Sequence, residues 1–169
     1  MKVLVVNAGS SSLKCQLIET DGKICQMKAI AEKIGSASAY MTIEFPPHKK
    51  VRYDIPNATI EQALITLFDV LIHDSNSPIT ALTDIDAIGN RIVSGGEYFT
   101  HSILIDDDAL TKIEACNPLA PLHNPSATAC ISYMKKRLPH VPQTAVFDTA
   151  FHQTMPPKAF MYPLPMRYY

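Results

Sequence analysis

An apolar run, Val3-Leu4-Val5-Val6, delivers the chain directly into Asn7-Ala8-Gly9-Ser10-Ser11-Ser12-Leu13-Lys14. No other feature constrains the fold as strongly. The run reads as a fully buried strand over residues 2–7, so the Gly/Ser turn and the lysine stand at one edge of a sheet. Such a turn offers small side chains, free backbone N–H groups, three hydroxyls and a cation, which are the groups that grip a phosphate. Taken alone, a Ser-rich hairpin without a ligand fits this segment equally well. Beyond the turn, Leu13, Cys15 and Leu17 alternate with Lys14, Gln16 and Ile18, which is the period of a strand. A Walker-type phosphate loop needs a helix there and a GK[ST] ending, so this turn is of another kind.

With 169 residues, 47% of them hydrophobic, the chain can bury one substantial core or two small ones. A formal net charge of −1 gives no sign of a polyanion partner, and nucleic-acid binding is not expected. Lys135-Lys136-Arg137 reads as the cationic end of a helix, where the dipole favours it. No apolar stretch approaches the roughly 20 residues that cross a bilayer, so no membrane partner is expected either. The N-terminus enters a strand at once, without a signal-peptide layout, and a cytoplasmic protein is expected. Cys15, Cys25, Cys116 and Cys130 have no metal-type spacing and read as free, mostly buried thiols. The histidines form no HxxxH pair, so no His/Cys metal site is expected.

Asp21-Gly22 signals a hairpin with 23–34 as the return strand, and a second hairpin is expected from Met41–Phe45 and Lys50–Ile55 around Pro46-Pro47-His48. Asn57 or Thr59 can then cap a helix in which Ile60, Leu64, Leu67, Phe68 and Leu71 recur at three- and four-residue steps, ending near His73. Residues 74–83 read as a loop and Ala87–Val93 as a strand leading into Ser94-Gly95-Gly96. Asp106-Asp107-Asp108 opens a helix to about Cys116, its acids at the favourable end. Asn124-Pro125 reads as an N-cap followed by proline at the first helical position, with the helix running to about Leu138. Thr144–Phe147 reads as a short buried strand ending in Asp148-Thr149 and a loop. The tail from Pro156 has neither helical nor strand period. The order of elements is that of a mixed α/β domain.

Ligands of open α/β sheets bind outside the strand ends. Three strands here finish in useful polar groups: Asn7, Arg91 and Asp148. Each also has a plain structural reading, as a turn residue, as the solvent face of an edge strand, and as a turn cap respectively. Together they supply a phosphate cradle, a guanidinium for a carboxylate or phosphate, and a carboxylate able to hold Mg²⁺ through its water shell. That is the inventory of a phosphoryl-transfer site. Leu119-Ala120-Pro121-Leu122-His123-Asn124-Pro125 adds a proline-stiffened loop in which Leu122 can form a fixed wall beside a small ligand. His123 and His152 read more readily as structural hydrogen-bonding residues than as catalysts.

With these residues assembled, the chain resembles the acetate kinase family of short-chain carboxylate kinases. The segments that carry the resemblance are VLVVNAGSSSLK at 3–14, GNRIVSGGE at 89–97, LAPLHNP at 119–125 and AVFDTAFHQTMP at 145–156. It implies an α/β fold of the actin-like ATPase, ribonuclease H-like class, a mixed sheet flanked by helices, as in the acetate and sugar kinase, Hsp70 and actin superfamily. It places Asn7 near Mg²⁺ and the transferring phosphate, and gives Ser10, Ser12 and Lys14 to the phosphate turn. Arg91 holds the acyl carboxylate, Val93 and Leu122 line the methyl pocket, and Asp148 is the essential acid, reaching Mg²⁺ through water. One departure stands out: the family pattern GHRVVHGGE has histidines where this chain has Asn90 and Ser94. Any support that two histidines give the arginine is therefore in question.

The resemblance further implies the reaction ATP + acetate ⇌ ADP + acetyl phosphate, with Mg²⁺ as cofactor, ATP as co-substrate and a homodimeric full-length enzyme. Residues 1–155 are expected to be the N-terminal kinase domain and 156–169 the start of an interdomain linker, with the second domain absent and the isolated chain inactive. Propionate or butyrate kinase and a non-catalytic actin-like binding domain are the alternatives.

Overall fold

A computed structural model describes residues 1–48 and 50–168; Tyr169, the last residue of the expected linker, lies outside the described residues. The chain opens with an antiparallel meander, β1 (Lys2–Ala8), β2 (Ser12–Glu19), β3 (Ile24–Glu32), β4 (Tyr40–Glu44) and β5 (Val51–Asp54). Helix α1 (Ile60–His73) follows, then β6 (Ala87–Ile92), β7 (Ile103–Leu104), α2 (Asp107–Ala115), α3 (Asn124–Arg137), β8 (Gln143–Phe147) and the short α4 (Pro157–Phe160). All the strands join one sheet in the order β5-β4-β3-β2-β1-β6-β8-β7. β1, β6 and β8 run parallel to one another, and every other pairing is antiparallel.

The helix starts follow from capping chemistry. Thr59 accepts the Gln62 amide while the Gln62 side chain returns to the Thr59 N–H, a complete capping box. Asp106 caps α2 by accepting from the Ala109 amide at 2.7 Å. At α3 the expectation fails. The N-cap position is His123, and Asn124 is already the first helical residue, its side chain turned to other partners.

The apolar pattern has placed all three long helices on one face of the sheet. Leu4, Val6, Leu13, Leu17, Met27 and Ile88 pack with Leu64, Leu67 and Leu71 of α1 and Met134 of α3. A second cluster joins Ile92, Ala145 and Phe147 to Ile113 of α2 and Ile131 of α3. Each fully buried side chain of this kind contributes about 1.5–3 kcal/mol. α1 and α3 also meet through the Phe68 and Tyr133 rings, stacked with centroids 6.2 Å apart.

The opposite face carries Val5, Lys14, Gln16, Arg91 and Val146, all exposed. β1 and β8 are therefore not buried on both sides as their apolar runs suggest. Val5 is 37% exposed and Val146 49%, because no helix among the described residues covers that face. Three further elements differ from expectation. β7 is two residues long, too short to show a period. Asp148–His152 winds into a 3₁₀ turn instead of a loop, and the proline-rich tail holds one helical turn, α4.

Candidate active site

Parallel strands end on the same edge of a sheet, and the register sets how closely their ends align. In the β1–β6 ladder the last pair is Val6 with Asn90, so Asn7 and Arg91 are the next residues on each strand. In the β6–β8 ladder Arg91 pairs with Val146 and Ile92 with Phe147, which puts Asp148 one step past the last pair. Strand alternation then turns Asn7 and Arg91 to the open face.

The three side chains meet. Arg91 donates from Nε to Asp148 Oδ1 at 3.1 Å and from Nη2 to Asp148 Oδ2 at 2.6 Å, a two-pronged ion pair. Its Nη1 donates to Asn7 Oδ1 at 3.1 Å. The carboxylate hydrogen bonds raise the Arg91 pKa further above its ordinary value, so the guanidinium stays charged. Arg91 and Asp148 are about half exposed, at 47% and 43%. A pair this wet contributes about 1 kcal/mol or less to stability. What the contacts supply is orientation. Two fixed acceptors set the plane of the guanidinium, and three contacts leave N–H donors free for an incoming anion.

The phosphate-turn candidates sit beside this cluster. Lys14 is the cross-strand partner of Asn7 and faces the same open side. The turn closes through the Gly9 amide on the Ser12 carbonyl at 2.8 Å, and Ser10 lies exposed at its tip. Among the described residues, no hydrogen bond engages the Ser10 or Ser12 hydroxyl or the Lys14 ammonium. These groups can meet a ligand without first giving up a partner.

Val93 and Leu122 are placed less tightly. Val93, half-buried, follows β6 directly, and the side chain of Leu122 is 69% exposed. The Leu122 loop is nevertheless tied to the end of β6. Asn124 accepts the Ser94 amide at 3.1 Å and donates to the Ser94 carbonyl at 2.8 Å. A cap reading of Asn-Pro missed this contact, since a bond spanning 30 residues leaves no local signal. A second missed contact runs from the Gly95 amide to Thr149 Oγ1 at 3.1 Å, next to Asp148. A hollow of about 360 Å³ opens beside Thr149, His152 and Gly96, and among the described residues no hydrogen bond joins His152 to Arg91.

The Asn90 substitution now has a physical reading. Asn90 is 3% exposed and points into the helix-covered face, where its amide donates to Gln143 Oε1 at 3.2 Å and the Thr144 carbonyl at 3.3 Å. Arg91 points the other way, so the residue at position 90 does not touch its guanidinium and Asn7 and Asp148 supply the support instead.

Known proteins resemble this chain in both sequence and fold. The acetate kinase of Thermoanaerobacterium thermosaccharolyticum is 47% identical over 171 residues, covering 100% of this chain and 42% of that protein. The structure of Porphyromonas gingivalis acetate kinase superposes with a TM-score of 0.92 at 38% identity, over 99% of this chain and 42% of that one. A propionate kinase from Francisella tularensis superposes with a TM-score of 0.88, also at 38% identity, over 98% of this chain and 41% of that one. The eight-stranded mixed sheet is thus the fold of these kinases, and the chain spans about 42% of the length of the curated relatives it matches. The model of the acetokinase family matches residues 2–169, setting aside Met1 alone, and the chain belongs to that family.

Proposed function

We propose that this chain forms the carboxylate- and phosphate-binding side of an acetate kinase, which moves the terminal phosphoryl group of ATP to acetate and back. The observation that carries the reading is the single network of Asn7, Arg91 and Asp148 at three adjacent parallel strand ends. Residues 1–155 are the domain that holds it, and 156–169 lead toward the rest of the polypeptide. Phe160, Tyr162 and Leu164 of that segment are 49%, 84% and 64% exposed, which fits side chains that a further part of the protein covers.

A carboxylic acid with a pKa near 4 is already ionised at pH 7, so the nucleophile needs no base. The difficulty is bringing it against another anion. The free N–H groups of Arg91 hold the acid in a fixed plane and screen the repulsion. Val93 and Leu122 bound its short alkyl end, while the Gly9–Ser12 turn and Lys14 receive the phosphates. Asp148 orients Arg91 through both carboxylate oxygens.

The donor chemistry also fits Mg²⁺. Asn7 Oδ1 and the Asp148 carboxylate are hard oxygen ligands converging on one guanidinium, and Mg²⁺ takes one or two carboxylates while keeping several waters and substrate phosphates. Asn7 and, through water, Asp148 would hold Mg²⁺, which would supply charge neutralisation to the phosphates. The whole enzyme acts in the cytoplasm as a homodimer.

Arg91→Ala in the whole protein tests the assignment. A charge-assisted contact contributes about 1.5–3 kcal/mol, so the acetate KM rises roughly ten- to a hundredfold and kcat falls, with the ATP KM little changed. Wild-type kinetics would remove Arg91 from the role. The isolated 169-residue chain is expected to give no acetyl phosphate in a coupled assay, since no cleft closes over the site to exclude water. The Francisella neighbour favours one second reading, a preference for propionate. Comparing kcat/KM for the two acids separates the readings.

A further inference from the structure

We propose that Asn124 is a positioning residue that sets the acyl pocket, by clamping the Leu122 loop to the backbone beside Val93. This inference rests on the carboxylate kinase reading and adds to it a residue that touches no substrate.

Asn124 is fully buried, at 0% exposure, and its side-chain hydrogen bonds all leave the turn in which it sits. Its Oδ1 accepts the Ser94 amide at 3.1 Å; its Nδ2 donates to the Ser94 carbonyl at 2.8 Å and the Cys116 carbonyl at 3.4 Å. A primary amide is the one short side chain that accepts from the N–H and donates to the C=O of one residue, as a neighbouring strand would. A carboxylate repels the Ser94 carbonyl, and an apolar residue leaves both Ser94 groups without a partner. Helix α3 does not need the residue for its start, because Asn124 lies inside the helix and His123 takes the cap position.

The clamp joins two pocket walls. Val93 is adjacent to Ser94, and Leu122 lies two residues before Asn124, within about 7 Å of backbone. Pro121 and Pro125 stiffen the loop between them, so its angle follows the clamp. The Ser94–Gly96 segment cannot slide to compensate. A Cβ on Gly95 would stand 2.9 Å from Phe147 Cδ1 and 3.0 Å from Phe99 Cβ. Gly96 adopts φ +55°, and a Cβ there would stand 3.0 Å from Cys116 Sγ. Beyond it, the Gly95 amide is held by Thr149, the residue after Asp148. Displacing Asn124 therefore moves Leu122 relative to Val93 and the Arg91–Asp148 pair.

The test is steady-state kinetics of the whole protein with acetate, propionate, butyrate and ATP, for Asn124→Ala, Asn124→Ser, Thr128→Ala and Arg91→Ala. Thr128 is the control for general damage to α3: it is buried and bonds only the Pro125 carbonyl, at 3.0 Å. A misplacement of about 1 Å costs up to a hundredfold, so Asn124→Ala should raise the acetate KM about ten- to a hundredfold and flatten the preference among the acids. The ATP KM should stay within about twofold, and Asn124→Ser, which keeps one bond, should fall between. Thr128→Ala should leave acid KM and preference unchanged. If Asn124→Ala does not fold, the serine variant carries the test alone. Unchanged acid KM and preference in both Asn124 variants would overturn the inference, as would equal changes in Thr128→Ala. If Arg91→Ala raises the acetate KM and Asn124 does not, the clamp alone is wrong; if Arg91→Ala changes nothing, the kinase reading falls and this inference with it.

Discussion

The two sides of the candidate site are built in opposite ways. The proposed phosphate side, Gly9–Lys14, is a hairpin turn held through its backbone alone, by the Gly9 amide on the Ser12 carbonyl and the Ile34 amide on the Ser11 carbonyl, with Ser10, Ser11 and Lys14 exposed. The acid side, Ser94–Gly96, is held by Asn124, by Thr149 and by the packed rings of Phe99 and Phe147, whose centroids lie 4.5 Å apart. A phosphate is large and highly charged, and a flexible ring of donors can close around it. A short alkyl acid offers little to hold beyond its carboxylate, so its pocket must be rigid before it arrives.

Stability of the 169-residue chain should divide along this line. Removing the Asn124 amide leaves the Ser94 amide and carbonyl without their side-chain partner, while the Cys116 carbonyl keeps the Leu119 amide at 3.0 Å. Asn124→Ala should therefore cost about 3 kcal/mol in urea unfolding. Gly95→Ala forces a methyl group against Phe147 and should cost about 2 kcal/mol by the same measurement. Ser11→Ala, at the exposed tip of the phosphate turn, should stay within about 0.5 kcal/mol. Equal losses at Gly95 and Ser11 would break the comparison.

A third local turn sharpens it. Asp84 accepts the amides of Thr80 at 2.8 Å and Ala81 at 3.1 Å, and these bonds lower its pKa. A carboxyl whose folded pKa lies below its unfolded value stabilises the fold above that unfolded value, near 3.8. The contribution is lost as the pH falls through the lower folded pKa. Asp84→Asn should remove that part of the acid-range slope and leave the site kinetics alone, the smallest of these effects.

The same contrast explains what was legible in the sequence. Thr59, the α1 stripe and the end at His73 were readable because capping and helical period are local. So were the hairpins and the three polar strand ends, since each strand announces its own finish. The open face was not. Val3-Leu4-Val5-Val6 has the composition of a doubly covered strand, and whether a helix lies over Val5 depends on elements far along the chain. Asn124 was misread for a related reason: Asn-Pro before a helix satisfies a local rule, while its actual partner lies 30 residues upstream. Asn90 and Arg91 are neighbours in sequence, yet strand alternation puts them on opposite faces, so they bond different partners.

The central claim is that Asn7, Arg91 and Asp148 form one mouth for a small acid beside a terminal phosphate. A crystal structure of the whole protein with acetate and a non-hydrolysable ATP analogue tests it most directly. The account predicts the acetate carboxylate within hydrogen-bonding distance of Arg91, its methyl group toward Val93 and Leu122, and the terminal phosphate at the Ser10–Lys14 turn. Acetate bound away from Arg91, or the phosphate held without that turn, would contradict it.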